Sequence, residues 1–531
     1  MYNPGVSELE HVPHTSRFQR YVLKARTYVT TANSIGLLGA LCALFCLIAL
    51  PSSQYWNIRL PLYLLLVILT ILRPRVALYL LPIAVPWGAL DTISLGGLNL
   101  NSADILVFLL AASWLMSFAL RPFAAGEVSQ SGPLDRDSLN IPRYLVLAML
   151  ALLLAMLLSM TVTLSLTSSI KELSKWIEFL IVLVIGAQYI RTSRQIWALI
   201  IIICLAAISQ ACMGYAQNFF SLGPTTFVRD AGLRVYGTFG QPNPYAGYIN
   251  MTLTIAIALT LLSKSWNIRI LAGVTTFLLA AAEYLSQSRG GEISIAIALI
   301  FIVAIGMPRL QPLVRLGIIG ALGVVAAYLA GLLPEHYLAP VLRTLGLTNI
   351  SFSAPSSADF STAERLAHWI AGVRMFITHP ILGVGIGNYP DYYPQYFVTI
   401  FINPLGHAHN YYINIAAEAG LLGLITFLAF LLANFVAGGR SYRKINTHWQ
   451  QLKARLAHPV SAISSTEARK LSAQLTMLTN RRALAIGLLA SLLSICVHNM
   501  VDNLYVHSMT SLIALLLVIL IRVEAVTTET K

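Results

Sequence analysis

Apolar runs long enough to cross a hydrocarbon core recur along almost the whole of this 531-residue chain, and no other feature restricts the fold so tightly. Inside lipid a backbone N–H or C=O finds no water, so each run must satisfy its own amides, which an α-helix does and an open strand does not. Apolar–polar alternation is weak, and unbroken runs such as Leu60–Leu72 and Tyr144–Leu164 argue against a β-barrel. With 57% hydrophobic and 11% charged residues, the chain carries more apolar surface than a soluble core can hide. The expected class is all-α: a polytopic transmembrane helical bundle.

Fourteen runs are candidate spans. They lie near 34–50, 60–72, 76–90, 103–120, 144–164, 173–190, 195–215, 244–262, 268–286, 291–307, 313–333, 411–436, 483–499 and 507–523. Those near 60–72 and 76–90 are short enough to be tilted or partial crossings. The polar, basic first 30 residues hold no short apolar core followed by a cleavage site, so no removable signal peptide is expected. Cys42, Cys46, Cys204, Cys212 and Cys496 all fall within apolar runs, which predicts neither a disulfide framework nor a zinc site.

The net charge of +14 reads as topology rather than as nucleic-acid binding, because the cations cluster between spans. With the N-terminus in the cytoplasm and sides alternating, 26 of the 35 Lys and Arg residues fall inside, and every inside connection carries at least two. Both termini are then cytoplasmic. The expected organisation is a cytoplasmic tail over 1–33, transmembrane helices with short loops over 34–333, and a large extracytoplasmic loop over 334–410. A transmembrane helix over 411–436, a basic cytoplasmic loop over 437–482 and C-terminal transmembrane helices with a tail over 483–531 complete it. Within the large loop, Ala363–Ile377 is predicted to be an amphipathic helix with Leu366, Ile370, Val373 and Ile377 on one face and Pro380 after its end. The basic loop serves as a topology anchor able to touch anionic headgroups.

Nine cations remain outside, and two stand beside Gly- and Pro-rich turns. Arg234 precedes Val-Tyr-Gly-Thr-Phe-Gly-Gln-Pro-Asn-Pro, and Arg289 lies in Ser-Arg-Gly-Gly at the end of a span. A lone Arg at such a boundary often only snorkels to the interface, but a pair on one side suits a phosphate or pyrophosphate, whose oxygens guanidinium forks match. His407 and His409 open the run at 411, with Asn410 placed to cap it. A histidine there suits a general base. Residues two apart point to opposite sides of a strand and align poorly on a helix. The external acids are also few: Asp230, Glu335, Asp359, Glu364, Asp391, Glu418 and Asp502. No metal site is therefore expected. Arg365 and Arg374 on the loop helix fit a solvated face or a substrate contact equally, and His498, Asn499 and Asp502 are secondary candidates near lipid.

These stretches together resemble the O-antigen ligase and O-antigen polymerase-like membrane proteins. The likeness rests on Arg234 ahead of Gly-Thr-Phe-Gly-Gln-Pro-Asn-Pro-Tyr-Ala-Gly, on Ser288-Arg289-Gly290, and on Arg365…Trp369…His379-Pro-Ile-Leu-Gly-Val-Gly-Ile-Gly387. A fourth piece is His409-Asn410, nine residues, then Gly420-Leu-Leu-Gly423, closest to the ligase pattern. The resemblance covers roughly positions 190–440. It implies a GT-C-like bundle of about 12–14 spans in a bacterial inner membrane, needing no cofactor. It further implies transfer of a glycan from a polyprenyl-pyrophosphate carrier to an acceptor hydroxyl on lipopolysaccharide core or another surface glycan, by metal-independent inversion. Polymerase and protein O-oligosaccharyltransferase relatives share much of the pattern and differ in acceptor. By resemblance His409 is the general base and Arg234 and Arg289 bind the pyrophosphate, with His407, Asn410 and Arg365 supporting. The partners implied are the lipid-linked donor, a glycan or glycolipid acceptor, and membrane lipids. Nucleic acid is not among them. A small-solute, bicarbonate-like transporter is the rival class. It would place ionisable groups at span centres, where Glu283 is the main exception to an otherwise one-sided distribution.

Overall fold

The computed structural model describes residues 33–50, 55–95, 98–119, 141–229, 232–334, 351–353, 355, 360–457 and 465–525. Most of the N-terminal tail, Asp230, Glu335, Asp359 and the first part of the loop 334–410 lie outside the described residues.

Each apolar run holds a helix. In chain order these are α1 (Asn33–Ala49), α2 (Trp56–Leu72), α3 (Arg75–Trp87), α4 (Ser102–Ala119), α5 (Arg143–Ser159), α6 (Leu166–Tyr189) and α7 (Ser193–Phe219). There follow α8 (Pro242–Leu262), α9 (Trp266–Ser286), α10 (Arg289–Gly306) and α11 (Gln311–Leu329). The large loop contributes α12 (Phe360–Thr378) and the short α13 (Tyr389–Tyr392), before α14 (Tyr411–Ala457), α15 (Ser465–His498) and α16 (Met509–Ala525) close the chain. Eight of these helices are long and apolar enough to cross a membrane unaided, and α1 to α4 form a shorter apolar set. The described strands are two small antiparallel pairs, Thr92–Leu95 with Leu98–Asn101 and Val228–Arg229 with Gly232–Leu233. The chain is thus a multi-pass helical membrane protein.

Local chemistry sets several boundaries. Thr192 and Gln195 form a reciprocal capping box at the start of α7, and Pro242 opens α8, where its missing N–H costs nothing. The basic segment 437–482 is carried largely on helix: α14 runs to Ala457 and α15 starts at Ser465. α8 and α15 form the centre of the bundle, with most of α8 and half of α15 buried, whereas α11 buries none.

Contacts between connections sort them into two ends. At one end Arg522 Nε donates to Ile190 O at 2.9 Å, Asn480 Oδ1 accepts from Lys264 N at 2.9 Å, and Arg482 Nη2 donates to Ile305 O at 3.1 Å. At the other, Asn101 Nδ2 donates to Ser508 Oγ at 2.9 Å, Arg234 Nε to Ser286 O at 3.1 Å and Tyr411 N to Asn499 O at 2.8 Å. The histidines, Arg289 and Arg365 belong to this second end.

The loop helix α12 differs from expectation in the face it buries. Ala363, Ala367, His368, Ala371 and Met375 pack inward, while Val373 and Ile377 are 41% and 68% exposed. Small residues allow α12 to approach α14 closely, and that close approach outweighs burial of the larger side chains on the other face.

Candidate active site

Two glycine-bearing stretches interlock beneath the site. α14 breaks at Gly420, whose φ of 64° and ψ of −160° belong to a region that only glycine occupies readily. The broken turn leaves backbone groups for the large loop to take up. Ala417 O accepts from Val384 N and Glu418 O from Gly385 N, both at 2.9 Å, while Leu421 N donates to Pro380 O at 2.8 Å. A Cβ on Gly420 would overlap Ile381 O, and one on Gly383 would overlap the Glu418 backbone. The Gly-rich end of the loop and the Gly420–Gly423 pair are therefore two halves of one joint. Asn388 extends it to α6, its Oδ1 accepting from Leu164 N at 3.1 Å and Ser165 N at 2.6 Å.

The histidine turn sits above this joint. Asn410 Oδ1 accepts from Tyr412 N at 3.0 Å and Ile413 N at 3.1 Å, so its side chain caps α14. His409 has a left-handed φ of 52°, and Trp369 Nε1 of α12 donates to its carbonyl at 3.1 Å. This turn brings the His407 and His409 rings to 4.5 Å between centroids. The expectation that a two-residue spacing separates them fails, because it assumed regular strand or helix geometry. Both rings face Asp502, which lies in the turn between α15 and α16. His409 Nδ1 and His407 Nε2 stand 3.6 Å and 3.8 Å from its Oδ1.

Electrostatics follow from this arrangement. Burial works to raise the Asp502 pKa, but interaction with His409 and the charges of His407 and Arg365 outweigh it and hold the carboxyl well below the usual range. Burial, reinforced by the His409 charge and opposed by Asp502, lowers His407 to about 4. His368 of α12 is lowered to about 3 by burial and the two neighbouring histidines. Its ring stacks on Tyr393 with centroids 4.5 Å apart, meets His409 edge-on at 5.5 Å, and places Nδ1 3.1 Å from Tyr389 Oη.

A cavity of about 240 Å³ opens beside the turn. Arg289 and Gly290 at the start of α10, Arg365 and Trp369 of α12, and His498 and Asp502 line it. Gly290 lets α10 begin against the next layer: a Cβ there would lie 2.7 Å from Val501 and 3.0 Å from the His498 ring. Arg289 Nη1, Arg365 Nε and both ring nitrogens of His409 and His498 are buried without a hydrogen-bond partner among the described residues. Buried polar atoms are paired in nearly all native structures, so the gathering of those of Arg289, Arg365 and His498 at one cavity makes it the candidate ligand site. Arg234 stands one residue further back. Its Nη2 donates to Asn243 Oδ1 at 3.3 Å, which also accepts from Ser288 Oγ at 3.0 Å, and Asn243 and Ser288 line the cavity.

The structure thus gathers Arg289, Arg365, His407 and His409 at one end, connects Arg234 through Asn243, and uses Asn410 as a cap. Asp502 and His498, secondary in the sequence, are central in space, and His368 was missed. Its signal was its position three residues after Arg365, on the same side of α12. The spans also bury more acid than expected: Glu178 within α6 and Asp104 in the first turn of α4, 4% and 9% exposed, join Glu283.

One ligand atom from each of His407, His409 and Asp502 lies within 4.8 Å of the other two, close enough for one ion to take all three. One bond opposes this. His407 Nδ1 accepts from His409 N at 3.0 Å, so the neutral ring carries its proton on Nε2, toward Asp502. A metal on Nε2 requires that proton elsewhere, and a ligating histidine ordinarily donates from its other nitrogen rather than accepting there.

Fold and site together define a multi-pass helical membrane protein with an arginine-lined cavity beside a histidine cluster at one end of its bundle. Residues 274–428 match the family model described as O-Antigen ligase, which supports membership of an O-antigen ligase-like family. The matched stretch contains Arg289, Arg365, His407 and His409, whereas Arg234 and Asp502 lie outside it. Comparison with curated proteins finds no match.

Proposed function

We propose that this protein transfers a glycan from a polyprenyl-pyrophosphate carrier to an acceptor hydroxyl, by metal-independent inverting transfer at the extracytoplasmic membrane surface of a bacterial inner membrane, with both termini cytoplasmic. The observation that carries the reading is the group of unpartnered buried nitrogens of Arg289, Arg365 and His498 around one cavity at the end of an apolar bundle, with His409 next to it across Asp502. Guanidinium groups suit a pyrophosphate, and the adjoining bundle suits its isoprenoid tail.

In this reading Asp502, 3.6 Å from His409 Nδ1, favours the tautomer with its proton on Nδ1, leaving Nε2 as the base, as a carboxylate orients a catalytic imidazole elsewhere. His409 Nε2 takes the acceptor proton as the acceptor oxygen attacks C1 of the donor sugar. The C1–O bond to phosphate breaks, and the pyrophosphate leaves with the charge. Arg289 and Arg365 offset that charge where it develops, and Arg234 holds Asn243 and the turn before α10 in place. The bond from the His409 amide to His407 Nδ1 supports a mechanism without metal at this turn.

The test is purified protein with a polyprenyl-pyrophosphate glycan and a panel of glycan and glycolipid acceptors, with and without chelator. Chelator-insensitive transfer with inversion at C1 is expected. No transfer to any acceptor, with solute uptake in proteoliposomes, would support the transporter reading instead.

A further inference from the structure

At the end of the bundle opposite the histidine turn, a groove of about 480 Å³ lies between the ends of α8 and α10 and the extended parts of α14 and α15. Arg482 forms its wall and is 8% exposed. Its Nε donates to Asn446 Oδ1 at 2.8 Å and its Nη2 to Ile305 O at 3.1 Å. The guanidinium lies 5.1 Å from the centre of the Trp449 ring and 5.8 Å from that of Tyr442. The exposed Lys453 also lies over Trp449, its Nζ 5.0 Å from the ring centre. Two cations therefore share one indole, which Trp449 Nε1 anchors to Thr479 Oγ1 at 2.9 Å.

None of the residues lining the groove is acidic, and among the described residues neither cation has a carboxylate within ion-pair distance. Lys444 nearby in sequence is paired with Glu524 instead, at 2.7 Å. Arg482 is thus buried among neutral acceptors and rings with no counter-charge beside it, an arrangement that an anion would complete. The groove also has apolar lining, from Leu261, Leu262, Ile305 and Met307. A free phosphate would satisfy the charges but not that apolar lining. A phospholipid satisfies both, with its phosphate toward Arg482 and Lys453 and an acyl chain along the apolar side. Tyr442 and Trp449 are the ring types that membrane proteins favour at the lipid–water boundary.

We propose that this groove is a binding site for one anionic phospholipid of the adjoining leaflet. The test is native mass spectrometry of the full-length protein in detergent, titrated separately with phosphatidylglycerol and phosphatidylcholine, with inorganic phosphate as competitor. The expected result is one retained phosphatidylglycerol, at least tenfold preferred over phosphatidylcholine and not displaced by millimolar phosphate. Lys453→Gln, an exposed change that leaves the packing intact, should reduce that preference several-fold, and Arg482→Gln should remove it in protein that still elutes as a folded species. Equal retention of the two lipids, an unchanged preference in Lys453→Gln, or full displacement by inorganic phosphate would overturn the proposal.

Discussion

Asp502→Asn isolates the carboxylate from the shape of the site. The substitution keeps size and hydrogen-bonding capacity but removes the charge that faces His409 Nδ1 at 3.6 Å and His407 Nε2 at 3.8 Å. The base becomes an imidazolium as it takes the acceptor proton, and Asp502, 3% exposed, is the carboxylate that faces its ring at 3.6 Å. Opposite charges about 4 Å apart at an effective dielectric of about 20 gain about 4 kcal/mol. At about 1.4 kcal/mol per decade that corresponds to a rate loss near a thousandfold. His409 is 17% exposed, so water recovers part of the loss, and a fall in kcat of about 10²–10³ is expected, within the range of general-base effects. The assay is transfer from a polyprenyl-pyrophosphate glycan by purified protein, with kcat and the donor KM measured separately. The donor KM should move less than about threefold, because the arginines that hold the pyrophosphate are untouched. A variant that folds and turns over within about threefold of the parent would refute the orienting role of Asp502.

Gly420→Ala should destabilise the protein by more than the roughly 1–3 kcal/mol of backbone strain alone, since its Cβ meets Ile381 O; thermal melting in detergent would show it as a lowered midpoint. Stability should also fall with acid between about pH 6.5 and pH 4. The folded-state pKa of His407 is lowered to about 4 and that of His368 to about 3 from 6.5, so the unfolded chain binds those protons first and gains from them as pH drops. His407→Gln should flatten this slope in melts recorded across that range. Arg289→Lys keeps the charge but loses the planar fork, and should raise the donor KM at least tenfold in the transfer assay, with melting unchanged.

The all-α membrane class was legible because length and apolarity decide it, and each run at 34–523 does hold a helix. Asn410 was legible as a cap because capping is local. The meeting of His409 with Asp502 was not, since residues 93 apart in the chain are joined only when α14 and α15 pack. Spacing misled at His407 and His409 because one left-handed residue defeats the periodicity of strand and helix alike. The joint between Gly383 and Gly420 was visible as two motifs, but not as a single backbone contact, because its hydrogen bonds are made by main chain that sequence leaves unspecified. On α12 the larger apolar residues suggested the buried face, whereas close packing against α14 selected the alanines.

The assignment of His409 as base and Arg289 as pyrophosphate ligand is tested most directly by donor binding and turnover measured side by side. With a polyprenyl-pyrophosphate glycan, His409→Ala should bind the donor within about threefold of the parent affinity yet transfer nothing detectable, while Arg289→Ala should lose binding itself. Transfer at the parent rate by His409→Ala, or unchanged donor affinity in Arg289→Ala, would contradict the account.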